Sequence, residues 1–294
     1  MTDQPTVETP AHRVTVDEPR VLRFLRAVGD DPAGYTATAA ASNGGLGRPT
    51  VPPTYLYCLE EMERGQDRSV LDAAGAPKTG ALHAAQRFRY HRRIVVGETL
   101  SLTTRLAGRY PRAPGTVRLA VLETRYTDMA GLPVADLRCS LAFPAPDAPN
   151  DGAAPTGPPE PAPVLATGAI PPATRESLAA YSEASGDRNP IHLDSAAARA
   201  EGLEDVIGHG MHVMARAVQS LEGLGPGTEL AEYEMRFLAL IRLGIGLTVT
   251  VHGSPGGNSL RVRVTDEAQR VVALGTARTR RVNQEIRTGG RRPG

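Results

Sequence analysis

The stretch Gly186-Asp187-Arg188-Asn189-Pro190-Ile191-His192 puts a carboxylate, an amide and an imidazole within six positions of one another. A carboxylate and a neutral imidazole that face one small volume can hold a water between them. One group then takes a proton while the other gives one, which is general acid–base chemistry, and histidine titrates near working pH. The same residues also suit a solvated loop with a helix-capping acid. Either way the local elements are set. Gly, Asp and Asn favour a turn, and a residue before proline leaves the α region. A helix running from Thr174 to Ser185 is therefore expected to stop near Gly186, with Asp187 and His192 on a rigid turn. Asp194 is placed to cap a following helix, Ser195 to Glu201, with Gly202 just past its end.

A second group follows at Ile207-Gly208-His209-Gly210-Met211-His212, and Val213 to Leu221 reads as a helix with small and apolar residues nearly all round. Such a helix is buried. Glycines at its start allow a backbone N–H to approach a ligand, and a helix N-terminus carries partial positive charge. That combination suits a carbonyl oxygen on which negative charge develops. A rival reading makes His209 and His212 a metal-binding pair three residues apart. No acidic or Cys ligand cluster accompanies them in the sequence.

Tyr181, Ala184, Gly186, Asp187, Asn189, Pro190, Ile191, His192 and Ala197, at these spacings, resemble the signature of the MaoC-like (R)-specific enoyl-thioester hydratases and 3-hydroxyacyl-thioester dehydratases. The resemblance implies that Asp187 and His192 are the catalytic pair and that Asn189 positions them. It implies that Gly210 contributes an oxyanion N–H, with His209 and Gly208 as neighbours at the substrate. It also implies a hot-dog fold, a long helix wrapped by an antiparallel sheet. The substrate implied is an acyl thioester on coenzyme A or on an acyl carrier protein. No cofactor is implied, because coenzyme A or phosphopantetheine enters as part of the substrate.

The bulk properties narrow the alternatives. The chain has 294 residues, enough for one large or two ordinary domains. Its net charge of +1 gives no basic field for nucleic acid. Lys78 is the only lysine, so the cationic side chains are almost all Arg. Trp is absent and aromatic residues are few, which weakens a base-stacking role. Cys58 and Cys139, far apart, read as reduced thiols. No run approaches the roughly 20 apolar residues of a membrane helix, and the N-terminus has no basic-then-apolar signal pattern. A cytoplasmic protein without a membrane partner is expected.

Along the chain, Met1 to Thr15 reads as loose. A helical run, Val21 to Val28, ends at Gly29-Asp30-Asp31-Pro32. This is a worn copy of the later turn, with Tyr35 where His192 would fall. Ala37 to Arg48 reads as a loop; its Gly44 to Gly47 lacks the strand and helix context of a phosphate-binding loop. Val51-Pro52-Pro53-Thr54 is expected to open a helix through Met62. Its prolines remove the N–H groups an oxyanion would need. Three long antiparallel strands are expected at 101–106, 117–126 and 134–143, and further strands at 248–251, 260–264 and 271–277. His83, His91 and the arginines Arg92, Arg93, Arg236 and Arg242 read as structural or surface residues. The stretch from Arg236 to Leu247 lies without gaps on that from Arg89 to Leu100, with Gly244 on Gly97. The chain is therefore an internal duplication.

The expected organisation is an α+β double hot dog, a pseudo-dimer in one chain. Residues 1–143 form a degenerate domain and 144–172 a Pro- and Ala-rich linker. Residues 173–286 form the catalytic domain and 287–294 a disordered tail. Fused members of the resembled family suggest a use for the first half, leaving room for a long or bulky acyl chain. A monomeric pseudo-dimer and a homodimer both fit. Two other functions remain open from these residues: a hot-dog thioesterase and a non-catalytic acyl-binding subunit.

Overall fold

The computed structural model describes residues 7–33, 48–64, 67–76, 81–112, 117–144, 162–221 and 228–281. Most of the loop expected at 37–48, residues 145–161 of the linker, residues 222–227 and the tail at 287–294 lie outside the described residues.

Among the described residues the strands form a single antiparallel sheet. They are β1 (His12–Thr15), β2 (Leu82–Tyr90), β3 (Thr99–Arg112), β4 (Val117–Asp128), β5 (Pro133–Pro144), β6 (Val164–Ile170), β7 (Thr228–Phe237), β8 (Leu247–Gly253), β9 (Ser259–Asp266) and β10 (Val271–Arg281). Their order is β1-β3-β4-β5-β2-β7-β10-β9-β8-β6. Read from either end, this is the same topology. The two halves meet where β2 pairs with β7, and Arg87 lies opposite Glu234. The sequence repeat matches these same two residues, so the local two-fold axis passes between them. Pairing β2 with β7 hides one vulnerable sheet edge from each half, as expected for a fused dimer.

The helices are α1 (Glu18–Ala27), α2 (Tyr55–Arg64), α3 (Ser69–Ala74), α4 (Arg175–Ser185), α5 (Ser195–Ala200) and α6 (Gly210–Ala217). One apolar core runs through both halves. It takes in Tyr55 to Leu59 of α2, Met211 and Val213 to Ala215 of α6, Phe24 of α1 and Tyr181 of α4. The halves are therefore not two independent globules.

Backbone hydrogen bonds align the copies residue by residue. Gly97 N–H donates to Val16 O at 2.6 Å, and Gly244 N–H donates to Ala173 O at 3.0 Å. Val51 N–H donates to Ile94 O at 2.8 Å, and Gly208 N–H to Ile241 O at 2.7 Å. Asp17 caps α1 as Thr174 caps α4. Gly29 then matches Gly186, Asp30 matches Asp187, and Pro53 matches Gly210.

Several expectations need correction. His12–Thr15 is not loose but pairs with β3 at the sheet's margin. The linker assigned to 144–172 contains β6, which pairs with β8. Prolines bracket Val164–Ile170 but none falls inside it, so its ladder N–H groups are intact. The strands β2 and β7 were not anticipated as strands. Their Ala, Gln, Glu and Arg suit a helix as well as a strand, and long-range pairing decides between them. The first-half helix starts at Tyr55 rather than at Val51. Thr54 before it has φ 72°, a left-handed conformation that is costly for a β-branched residue.

Candidate active site

The turn after α4 forms as its sequence dictates. Gly186 ends the helix at φ 83°, where a side chain would be strained, and a Cβ there would also meet Met62 Cγ of α2 at 3.0 Å. Asp187 follows, with its backbone pinned from both sides. Its N–H donates to Ser185 Oγ at 3.2 Å, and its carbonyl accepts from Ser182 Oγ at 2.6 Å. Pro190–His192 is a short 3-10 turn capped by Asn189. Asp194 accepts from the N–H groups of Ala196 and Ala197, which starts α5.

The structure brings Asp187, His192 and His209 together. One ligand atom from each lies within 4.8 Å of those of the other two. One water bridges such a span with two hydrogen bonds of about 2.8 Å each. His192 Nδ1 lies 2.8 Å from the Ile207 carbonyl oxygen. A carbonyl only accepts, so Nδ1 carries the proton and the neutral ring keeps Nε2 as a free base. The Asp187 carboxylate accepts the Asn189 N–H at 3.2 Å on Oδ1. On Oδ2 it accepts the Tyr57 hydroxyl at 3.2 Å. Asn189 is held in turn, donating from Nδ2 to Ala81 O at 3.0 Å.

The imidazole of His209 stacks on that of His192 with ring centroids 3.8 Å apart. It is buried, and neither ring nitrogen has a well-formed hydrogen bond among the described residues. Burial, followed by the nearby His192 ring, pushes the His209 pKa down to about 3 against the pull of Asp187. His209 is thus neutral at pH 7. Burial alone would raise the Asp187 pKa, but the imidazoles of His209 and His192, the Asn189 N–H and His83 together hold it below the usual carboxylate range. At neutral pH, with His209 uncharged, the Asn189 N–H and Tyr57 hydroxyl are the donors that steady the carboxylate.

Gly210 begins α6, and its N–H has no hydrogen-bond partner among the described residues. A Cβ on Gly210 would lie 3.0 Å from the ring of Phe237, and one on Gly208 would lie 2.6 Å from Ile241 Cγ2. Both glycines are closely packed, and a side chain at Gly208 is the more crowded of the two. A cleft of about 240 Å³ opens beside Gly208 and His209, with Ile170, Pro172, Val213 and Ile245 among its apolar walls.

His212, considered with His209 as a metal pair, points elsewhere. Its Nε2 donates to Ala27 O at 3.1 Å. The acid that joins His209 is Asp187, brought in by the fold. Arg92 pairs with Glu98 and Asp128, Arg93 with Glu229, and Arg242 with Glu204 at 3.5 Å, which fits their structural reading.

Sequence reasoning missed three residues at the site. Tyr57 and the Ala81 carbonyl come from the first half and bond Asp187 and Asn189 directly. His83, read as structural, packs its ring 5.4 Å from Tyr57 and 5.5 Å from Phe237, and bonds Gln86 and Cys139. None of these lies near the signature in sequence, and no local pattern marks them.

With this geometry in view, the comparisons with known proteins are specific. A family profile described as "FAS1-like, dehydratase domain region" matches residues 3–137, and one described as "MaoC like domain" matches residues 158–273. The chain is 27% identical over 268 residues to 3-hydroxyacyl-thioester dehydratase X of Mycobacterium tuberculosis, covering 88% of this chain and 86% of that one. It is similar in structure to a MaoC-like dehydratase with TM-score 0.74 at 21% identity, covering 94% of this chain and 97% of that one. A MaoC-like dehydratase from Phytophthora capsici aligns with TM-score 0.70 at 19% identity, covering 92% and 95%. A Mycobacterium tuberculosis protein described as having a double hotdog fold aligns with TM-score 0.63 at 19% identity, covering 95% and 97%. The dehydratase profiles between them take in both halves of the sheet, and the chain belongs to the MaoC-like dehydratases in their double hot-dog form.

Proposed function

We propose that the chain is a hydro-lyase that interconverts (3R)-3-hydroxyacyl and trans-2-enoyl thioesters. The observation that carries this reading is the pairing of His192, whose Nδ1 is held by the Ile207 carbonyl and whose Nε2 has no hydrogen-bond partner among the described residues, with an ionised Asp187, a ring nitrogen and a carboxylate oxygen lying within 4.8 Å of each other.

In dehydration, His192 Nε2 takes the α-proton. The electrons move to the thioester carbonyl oxygen, which Gly210 N–H holds. The imidazolium then returns its proton to the β-hydroxyl as the C–O bond breaks, and water leaves. Asp187 accepts the hydroxyl hydrogen bond and offsets the imidazolium charge. In hydration the same groups activate a water against the enoyl double bond. A placed proton-transfer group contributes about 10²–10⁴-fold and one oxyanion donor about 10²–10³-fold. The proton transfers use only these side chains, and the carrier is part of the substrate, either coenzyme A or an acyl carrier protein. The cleft beside His209 and the reduced first half support a long or bulky acyl chain. The seam between β2 and β7 supports a self-sufficient monomer.

The test is loss of enoyl absorbance with crotonyl-CoA and with a longer trans-2-enoyl-CoA, wild type beside Asp187→Asn. Loss in the wild type only is expected. Release of free thiol without loss of the enoyl group would instead mark a thioesterase.

A further inference from the structure

We propose that Tyr57 is a positioning residue for the Asp187 carboxylate, supplied to the catalytic turn by the half of the chain that has lost its own. Kinetically this rests on the hydro-lyase reading above.

Tyr57 lies on α2, the first-half counterpart of α6, and is buried. Its hydroxyl reaches across the pseudo-dimer boundary to Asp187 Oδ2 at 3.2 Å. The Asn189 N–H already occupies Oδ1. Two donors on two oxygens fix the plane of the carboxylate, which a single donor leaves free to rotate about Cβ–Cγ. The ring cannot swing away, because His83 packs 5.4 Å from it and His83 is itself held by Gln86 at 3.1 Å. Met62, also on α2, sits against Gly186, so the helix that carries the hydroxyl also buttresses the turn it serves. A second first-half group, the Ala81 carbonyl, holds Asn189 from β2.

The groups facing Asp187 are His192 and His209 from the second half, His83 from β2, Tyr57 and the buried Cys58 from α2, and Tyr181 from α4. Of these, Tyr57 donates a side-chain hydrogen bond to the carboxylate. Its donation favours the ionised form. The first half is thus not only a scaffold.

The experiment compares wild type with Tyr57→Phe, which keeps the ring against His83. Hydration of a trans-2-enoyl-CoA is followed as a function of pH. The expected kcat falls about tenfold, the change one charge-assisted hydrogen bond can account for, while KM changes by less than about twofold. The acid limb of kcat/KM moves up by about one pH unit as the carboxylate loses a donor. The Asp187 carboxyl carbon, followed by NMR and assigned with Asp187→Asn, titrates at a correspondingly higher pH. In wild type labelled at tyrosine Cζ, the Tyr57 resonance shifts with the Asp187 midpoint, a readout that needs neither a variant nor a substrate. An unchanged acid limb in an active Tyr57→Phe, or a Tyr57 resonance that ignores the Asp187 titration, would overturn the proposal. A wild type silent on enoyl thioesters would remove the hydro-lyase reading, and the NMR titrations would still decide Tyr57.

Discussion

Pro53 occupies in the first half the place that Gly210 holds in the second. The residues before them, Val51 and Gly208, make the same backbone bond to equivalent carbonyls, those of Ile94 and Ile241. One copy keeps a backbone N–H at the start of its helix, and the other has a residue that cannot offer one.

This relationship suggests a transplant. His209 has φ −69° and ψ 127°, the extended conformation that a residue before proline requires. Gly210→Pro is therefore compatible with the backbone and removes only the N–H and the space near Phe237. Gly210→Ala loses the same space and keeps the N–H. The ratio of their kcat values is expected to be about 10²–10³ in favour of alanine, the size of one oxyanion donor. Equal kcat values would mean that Gly210 N–H does not hold the oxyanion.

Asp187→Asn and His192→Ala are each expected to lower kcat by about 10²–10⁴-fold. The fold should survive in both, because Asp187 and His192 sit on a turn held mainly by Ser182, Ser185 and Asn189. Circular dichroism and the urea midpoint check the fold, and steady-state kinetics checks the loss.

Stability should fall in mild acid. Burial lowers the His209 pKa to about 3 and, with help from Arg216, the His212 pKa to about 4. In the unfolded chain both titrate near 6.5. Between those values the unfolded chain binds protons that the folded chain refuses. The contribution is fully present above about pH 6.5 and is lost as pH falls toward 4, at up to about 1.4 kcal/mol per pH unit for each histidine. Urea midpoints at pH 7, 6, 5 and 4 give the slope, and His212→Gln should reduce it by about half. A flat profile over this range would contradict the assignment.

The two halves are clamped by α6 against the end of α1. Arg216 Nη1 donates to Val28 O at 2.8 Å, and Gln219 Nε2 donates to the same oxygen at 3.1 Å. A cationic side chain at a helix C-terminus is favourable, and Gly29 leaves the room the guanidinium occupies. Arg216→Met should cost about 1–3 kcal/mol, measured by urea unfolding. A cost near zero would show that Gln219 carries the contact alone.

What the sequence determined by itself is local. Gly186, Pro190 and Asp194 fix where α4 stops, how the turn bends and where α5 starts, because each acts through backbone restriction or a cap a few residues away. The apolar faces of Val213 to Leu221 gave away the buried helix, although it starts at Gly210 and passes into a 3-10 turn after Ala217. The match of Arg89 to Leu100 with Arg236 to Leu247 exposed the duplication. Tertiary structure decided the rest. The pairing of β2 with β7 is a contact between distant segments of ambiguous composition, and only the closing of the sheet selects their strand form. Strand β6, framed by prolines, exists because β8 offers it a ladder. The site was half legible for the same reason. Asp187, Asn189 and His192 share one signature and Gly210 follows in a second short motif, whereas Tyr57, Ala81 and His83 reach them through space. A hydrogen bond from Tyr57 to Asp187 spans 130 positions of chain, and no sequence period encodes a contact of that range.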